Sequence, residues 1–198
     1  MKKNEQGRSM IEMLGVLAIV GILSVGGIAG FSKAMMKYKL NKQTEQIVSI
    51  LNYASINMDM LFQSFNGRVE NVTEILKNTG AFPEEMLKSN TPNYVYDIFG
   101  NTVWVQMLKY DSGEKYFELM MTLKERATES CVNLALLAKQ YSENLWRVKY
   151  GEEQNSLWGD SYCGEDTDCL RDVTIAEILE SCKICEKRNC PFWFQQKF

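Results

Sequence analysis

Hydrophobic and polar positions divide this chain into an apolar start, a one-sided continuation and a mixed remainder. Residues 13–31 carry no ionisable side chain, and Ser24 is their only hydroxyl. That length is close to the roughly 20 residues that a helix needs to cross a bilayer. Beyond it, apolar residues recur at three- and four-residue steps, which predicts one long helix over residues 9–63 with an amphipathic second half. The stripe consists of Ile47, Ile50, Leu51, Ala54, Met58, Leu61, Phe62 and Phe65.

The middle of the chain predicts a connector and then a sheet. Asn66 and Gly67 are expected to end the long helix, and residues 66–93 contain two short helical candidates, 72–77 and 83–87. Residues 94–99, 102–110 and 115–123 are rich in β-branched and aromatic side chains and are separated by turn residues. They predict an antiparallel meander whose apolar face covers the stripe of the long helix.

The last part of the chain predicts a helix, a strand and a loop-rich end. Residues 124–141 have a helical period that places Cys131 on the apolar face, and residues 145–150 form a fourth strand candidate. From residue 151 onward we expect mostly loops, with one short helix capped by Thr174 and an aromatic end at residues 192–194. The fold class predicted is α+β, a long N-terminal helix packed on an antiparallel sheet with a disulfide-rich C-terminal region.

Composition and charge exclude several classes of function. The 198 residues are 45% hydrophobic and 24% charged, as in ordinary folded proteins, and the net charge of −3 gives no basis for nucleic-acid binding. The aromatic residues of the strands have no accompanying basic patch, so we assign them to the core and the sheet surface. The chain has no histidine, which removes Ser-His-Asp and Cys-His catalysis. Because no acid/base constellation is recognisable either, we predict a protein that is not an enzyme and uses no cofactor.

All six cysteines lie in the last third of the chain, which predicts disulfides and an oxidising compartment. Two alternatives remain at this point. One is a zinc site of Cys182, Cys185 and Cys190 with Cys163 or Cys169 as the fourth ligand, and the other is a redox-active pair Cys182–Cys185. No metal is predicted, because the zinc pattern is incomplete and the acidic loop 163–169 lacks the spacing of an EF-hand. Six cysteines allow 15 pairings, so the connectivity stays open. The disulfide candidates are Cys131, Cys163, Cys169, Cys182, Cys185 and Cys190.

The first residues predict a membrane anchor with its C-terminal part exported. Residues 1–7 are polar and basic, and the apolar run that follows is too long for a cleavable signal core of 7–15 residues. The lysines that follow the run, Lys33, Lys37, Lys39 and Lys42, oppose this orientation under the positive-inside rule. The cysteine-rich end outweighs them, since it needs an oxidising compartment.

The amino-acid sequence around Gly7 and Glu12 resembles the prepilin signature of the type IV pilins. A short basic leader ends in Gly7, and a carboxylate stands five positions later inside an otherwise apolar helix. The stretch over residues 9–30 is especially similar to the type IVb-like pilins of proteobacteria, and the pseudopilins of type II secretion are related. The resemblance implies cleavage after Gly7 by a prepilin peptidase and N-methylation of Arg8, although the family usually has an apolar residue at that position.

The same resemblance implies roles in assembly for Glu12 and for the glycines of the helix. Glu12 would pair with the freed α-amino group of a neighbouring subunit and set the register of the filament. The glycines either pack helices closely or soften the helix, two alternatives that the sequence leaves open. They are Gly15, Gly21, Gly26, Gly27 and Gly30.

These observations predict the organisation and the function of the chain. We expect a leader at 1–7, a transmembrane half-helix at 8–31, an amphipathic half-helix at 32–65, a connector at 66–93 and a sheet-containing head at 94–198. The predicted function is a structural subunit, major or minor, of a type IV pilus, with roles such as adhesion or secretion open. The alternatives are a type II secretion pseudopilin and, in another class, a membrane-anchored periplasmic binding domain.

The predicted partners and location follow from the same resemblance. The partners are the chain itself and other pilins, the prepilin peptidase, an inner-membrane assembly platform and the membrane, but not nucleic acid. We expect a single-pass inner-membrane protein with a periplasmic C-terminus, which becomes part of an extracellular pilus after assembly.

Overall fold

A computed structural model describes residues 6–63, 65, 68–88, 90–151 and 156–198. Residues 1–5 of the predicted leader, and the predicted helix end at Asn66 and Gly67, lie outside the described residues. The chain divides into two compact units, Met1–Lys39 and Leu40–Phe198.

The predicted long helix is present as α1, Gln6–Gln63. Within Leu40–Phe198, α1 buries its predicted apolar stripe, and Ile47, Ile50 and Leu51 lose all their solvent exposure. The three- and four-residue spacing therefore identified the correct face of the helix. The large apolar side chains described in Met1–Lys39 are exposed instead.

Among the described residues of the second unit, seven strands form one antiparallel sheet. The strand bounds are β1 Val69–Asn71, β2 Val95–Tyr96, β3 Thr102–Lys109, β4 Lys115–Leu123, β5 Arg147–Tyr150, β6 Ser156–Trp158 and β7 Cys190–Lys197. The strand order is β1-β3-β4-β7-β5-β6, and β2 also pairs with β3. The hairpin of β3 and β4 matches the predicted meander. The strand predicted at 94–99 is shorter, because Asp97 begins a turn in which its carbonyl accepts a hydrogen bond from the Gly100 amide.

The C-terminal end differs most from the sequence-based expectation. Instead of a loop-rich tail, it supplies β7, which lies between β4 and β5 in the centre of the sheet. Phe192 and Phe194 alternate with Pro191 and Trp193, so the two phenylalanines reach the buried face while their neighbours point to the opposite face. The predicted fourth strand, now β5, is therefore not a neighbour of β4.

Five helices complete the described fold, with three 3-10 turns between them. They are α1, α2 Thr73–Lys77, α3 Thr128–Gln140, α4 Ile175–Cys182 and α5 Ile184–Lys187; the 3-10 turns are Glu84–Met86, Ser142–Asn144 and Asp160–Tyr162. α3 begins later than predicted, after Arg126 has adopted a left-handed φ of 64°. The predicted cap of α4 is present, since the Glu177 amide donates to the Thr174 hydroxyl and the Thr174 amide donates to the Glu177 carboxylate.

Three disulfides connect the predicted cysteines in pairs. Cys131 in α3 bonds to Cys182 at the end of α4, with 5.7 Å between their Cα atoms. The other pairs are Cys163–Cys169 and Cys185–Cys190. The prediction of a disulfide-rich C-terminal region is confirmed. The structure does not contain the zinc site or the Cys182–Cys185 redox pair, because Cys182 and Cys185 form disulfides with other cysteines.

Candidate functional site

The N-terminal part of α1 presents apolar side chains to its surroundings on every side. Met10, Leu14 and Ile22 are each about two-thirds exposed or more, at 73%, 67% and 74%. None of the most apolar part of this helix is buried within the chain. By length and composition it is the one helix among the described residues that can span a membrane. So large an exposed apolar surface is unfavourable in water and requires lipid or other helices around it.

The predicted processing and register positions lie at the beginning of α1. Gly7 and Arg8 belong to the first turn of α1, and Glu12 lies five residues beyond Gly7, about 7.5 Å along the axis. The Glu12 side chain is exposed within the single chain. α1 thus places the carboxylate a short distance from the predicted new N-terminus, at the edge of the apolar stretch.

The hydroxyl group of Ser24 in the apolar stretch, and that of Ser32 directly after it, are satisfied locally. Ser24 Oγ donates to the Val20 carbonyl at 2.7 Å, and Ser32 Oγ donates to the Ile28 carbonyl at 3.0 Å. These bonds to the preceding turn let both serines enter an environment without water.

The predicted packing glycines all lie within α1, and no contact with the other described residues requires a glycine there. A Cβ atom added at any of the five would meet no atom within 4 Å, apart from the helix's own neighbouring backbone. Their small size therefore leaves open surface on the helix, which is the condition for close approach by a second helix. These positions are Gly15, Gly21, Gly26, Gly27 and Gly30.

A buried polar network attaches the second half of α1 to the head. Gln43 Nε2 donates to Asp97 Oδ2 at 2.7 Å and to Ser130 Oγ at 2.6 Å, and Ser130 Oγ donates back to Gln43 Oε1. Asn101 adds a side-chain donor to Asp97 Oδ2 at 2.9 Å. Burial raises the pKa of the Asp97 carboxyl, and its hydrogen bonds oppose that rise only in part.

Sequence reasoning missed this network, which joins three elements far apart in the chain. Two further contacts lie beside it, where the Ile98 amide donates to Gln46 Oε1 and Lys42 pairs with Glu85 at 3.0 Å. The available signal was the pair Gln43 and Gln46, because these polar residues occupy positions of α1 adjoining the apolar stripe. Together the contacts fix how α1 lies against the β2–β3 turn and α3.

The sheet face opposite α1 carries a polar row flanked by aromatic side chains. Gln106 and Gln195 both donate to the Glu118 carboxylate, and Arg147 Nε donates to Gln195 Oε1 at 2.6 Å. The Arg147 guanidinium lies 4.4 Å from the centre of the Trp146 ring. Trp146 therefore lies on the sheet surface, as predicted for the aromatic residues, and Arg147 has its partners within the chain.

One group of possible metal ligands occurs among the described residues. Ligand atoms of Cys163, Cys169 and Asp172 lie within 4.8 Å of one another. The two sulfur atoms are joined in a disulfide, which leaves only the Asp172 carboxylate as a ligand. The group is therefore unsuited to hold a metal ion while the disulfide is intact.

Comparison with known proteins finds relatives along nearly the whole chain. No protein-family profile matches. Two proteins described as the major structural subunit of bundle-forming pilus align with 98% of this chain and 96% of their own length. The one from Escherichia coli O127:H6 (strain E2348/69 / EPEC) is 26% identical over 200 residues, and the one from Escherichia coli O111:H- is 25% identical over 196.

A solved structure shares the fold. The type IV b pilin from Salmonella typhi superposes with a TM-score of 0.50 at 15% identity, over 80% of this chain and 97% of that chain. The predicted fold of a long helix on an antiparallel sheet with a disulfide-rich end is confirmed. The resemblance that the N-terminal motif indicated extends over the head as well.

Proposed function

We propose that this chain, a member of the type IV pilin family by its fold and its full-length relatives, is a structural subunit of an extracellular type IV pilus. The observation that carries the proposal is the exposed apolar half of α1. It occurs in a chain whose second unit contains a disulfide-linked head with the pilin fold. In a filament, such half-helices bury one another away from water. The same surface serves as the membrane anchor before assembly.

The proposed maturation begins at the inner membrane. The subunit is held there by the apolar half of α1, with the head in the periplasm, where its three disulfides form. A prepilin peptidase cuts after Gly7, and Arg8 becomes the methylated N-terminus. The spacing from Gly7 to Glu12 supports this register of cleavage.

Glu12 is proposed to be the register charge of the assembled filament. Surrounded by apolar helices, its carboxylate has little water around it, so a neighbouring subunit's α-amino group becomes its most favourable partner. Removing both charges from water costs free energy that offsets much of their attraction. The pair therefore determines the axial position of one subunit relative to the next more than it stabilises the filament. A subunit shifted along the bundle would lose this pairing between its Glu12 and the neighbour's α-amino group.

The glycines are proposed to bring neighbouring helices close together. α1 is continuous through Gly26 and Gly27, and both positions have open space where a Cβ would be. These two observations support close packing in preference to softening of the helix. Gly26 and Gly30, four residues apart, lie on the same side of α1 and form the small-residue pattern of close helix pairs.

The pilus is preferred to a secretion pseudopilin because the relatives that align over 96% of their length are described as major structural subunits of a pilus. Those relatives also support a structural subunit without catalytic activity. The partners proposed are further pilin subunits, the peptidase and an inner-membrane assembly platform.

Replacement of Glu12 tests the proposed assembly role. Glu12→Ala is expected to be inserted and cleaved normally but to be absent from sheared surface filaments, because its register charge is lost. Glu45→Ala, a change to an exposed carboxylate in the second half of α1, is the matched control and should enter filaments normally. Wild-type amounts of Glu12→Ala in filaments would contradict the role.

A further inference from the structure

A pocket of about 300 Å³ opens beside β5, in the part of the head that the sequence predicted as loop. Its walls come from the end of β5, from β6, from the Cys163–Cys169 loop and from α4. The lining includes three carboxylates, one phenol and two aliphatic side chains: Asp168, Asp172, Glu177, Tyr150, Leu157 and Val173.

Tyr150 is the unusual member of this lining. It is only 2% exposed, and its ring stacks on Phe192 with 5.4 Å between the centroids. Its hydroxyl has no hydrogen-bond partner among the residues that the structure describes, although buried tyrosine hydroxyls usually have one. Burial, together with the nearby Glu177 carboxylate, raises the pKa of Tyr150 to about 12, so the phenol is neutral and can both donate and accept.

The charges around the pocket are predominantly acidic. Thr174 holds the Glu177 carboxylate through its amide and hydroxyl, and these bonds keep the pKa of Glu177 below its usual range. Arg171 pairs with Asp172 at 3.5 Å, but both side chains are largely exposed. The Lys139 ammonium donates to the Val173 carbonyl at 2.6 Å. The Lys139 charge also helps to lower the pKa of Glu177, so a cation lies near two of the three carboxylates. Among the described residues Asp168 has no ion pair, which leaves its charge available to a ligand.

The walls of the pocket are held in place. Gly151, at the end of β5, has φ of 74°, and a Cβ added there would lie 2.5 Å from the Ser181 carbonyl oxygen of α4. This close approach brings β5 and α4 together on one side of the pocket. Two disulfides, Cys163–Cys169 and Cys131–Cys182, fix the loop and the helix that form the other sides.

We propose that this pocket binds an aliphatic ammonium group. The methylene stem would lie on Leu157 and Val173, and the charged nitrogen would meet the carboxylates and donate to the Tyr150 hydroxyl. An ammonium has three donors and tolerates separated acceptors. A bare metal ion fits less well, because Asp172 is already paired with Arg171 and no close group of three carboxylates occurs at this pocket among the described residues.

The ammonium group can come from a free amine or from a lysine side chain of a second copy of the chain. Direct titration tests the site without assembly. Full-length protein in detergent is titrated with cadaverine at physiological ionic strength by calorimetry, with pentane-1,5-diol as the neutral comparison. Saturable binding of cadaverine but not of the diol is expected.

Two variants and two matched controls locate that binding. Asp168→Asn is expected to weaken cadaverine binding about tenfold, and Tyr150→Phe, which keeps the stacked ring, by about three- to tenfold. Glu165→Gln, in the same loop but outside the lining, and Tyr141→Phe, whose hydroxyl bonds to Asn52, should bind as the parent does. Equal losses in the controls and the pocket variants would overturn the proposal, since they would indicate diffuse charge attraction.

Assembled filaments test the second source. Carbodiimide treatment followed by mass spectrometry is expected to link a lysine of one copy to Asp168, Asp172 or Glu177 of another if a subunit's lysine is the ligand. Binding of cadaverine without such links assigns the site to a free amine. Absence of both the links and cadaverine binding overturns the proposal, and leaves the proposed pilus function unaffected.

Discussion

Gln43 of α1 donates a 2.7 Å hydrogen bond from Nε2 to Oδ2 of Asp97, which lies 54 residues later in the turn before β3. Both side chains are almost completely removed from water. An apolar helix surface can rotate or slide against a sheet at small cost, whereas a buried amide that faces a buried carboxylate has one satisfactory position. The pair therefore specifies how α1 is seated on the head.

Loss of the Gln43 amide is expected to destabilise the head. Gln43→Ala removes two donors and an acceptor from a buried network, leaves Ser130 and Asp97 under-satisfied, and should lower the free energy of unfolding by about 2–3 kcal/mol. Denaturant unfolding of the full chain in detergent, followed by near-ultraviolet circular dichroism, measures this. Asn41→Ala, at an exposed position of the same helix, is the control and should stay within about 0.5 kcal/mol of the parent. Equal effects of the two changes would refute the seating role.

The Asp97 carboxyl is expected to make stability depend on pH in a defined direction. Because burial raises its pKa in the folded head, the folded state holds this proton at pH values where the unfolded chain has lost it. The contribution of Asp97 is therefore present at low pH, and is lost as the pH rises from the ordinary value of 3.8 through the raised folded value.

An Asp97→Asn variant isolates this contribution from the other carboxylates. The parent should lose unfolding free energy relative to the variant as the pH rises from 3.8 through the raised pKa that Asp97 has in the folded head. Urea titrations at a series of pH values provide the data. A parent that gains stability relative to Asp97→Asn over that range would contradict the assigned direction of the pKa shift.

The disulfides are expected to differ in their effect on stability. Cys131 and Cys182 are separated by 51 residues, so the bond should contribute about 4 kcal/mol in the chain-entropy account. Cys163 and Cys169 are separated by only 6 residues, so their bond should contribute about 2 kcal/mol to the free energy of unfolding. Unfolding of the paired alanine variants, Cys131→Ala with Cys182→Ala and Cys163→Ala with Cys169→Ala, tests the order. A larger loss from the short loop would show that loop closure is not the governing term.

Substitution at Gly26 separates the two explanations of the glycines. Gly26→Ala and Gly26→Leu both favour the helix by about 1 kcal/mol, and neither meets a steric obstacle within the chain. If close helix packing is the reason for the glycine, sheared filament yield should fall modestly for alanine and strongly for leucine. Equal yields for alanine and leucine, both below the parent, would instead favour softening of the helix.

The sequence predicted the parts of the fold that depend on local patterns. The stripe from Ile47 to Phe65 follows the helical period, and the Thr174 cap has its partner three residues away. Cys131 could be placed on the buried face of α3 for the same reason. These features are determined by residues close together in the chain.

The features that the sequence did not reveal depend on contacts between distant residues. β7 pairs with β4, and Met120 for example lies opposite Trp193. These residues are far apart in the chain, so local sequence patterns could not predict the pairing. The Gln43–Asp97–Ser130 network likewise becomes visible only when α1, the turn and α3 are brought together. The place of Tyr150 in the pocket lining could not be identified before β5 and α4 were in place.

Intact-mass spectrometry of the subunit in sheared surface filaments tests the central claim most directly. The account predicts a chain that begins at Arg8, with or without one added methyl group, and that shifts by the mass of six hydrogens on full reduction because of its three disulfides. A filament subunit that retains residues 1–7, or a protein that remains in the membrane fraction and never enters filaments, would contradict it.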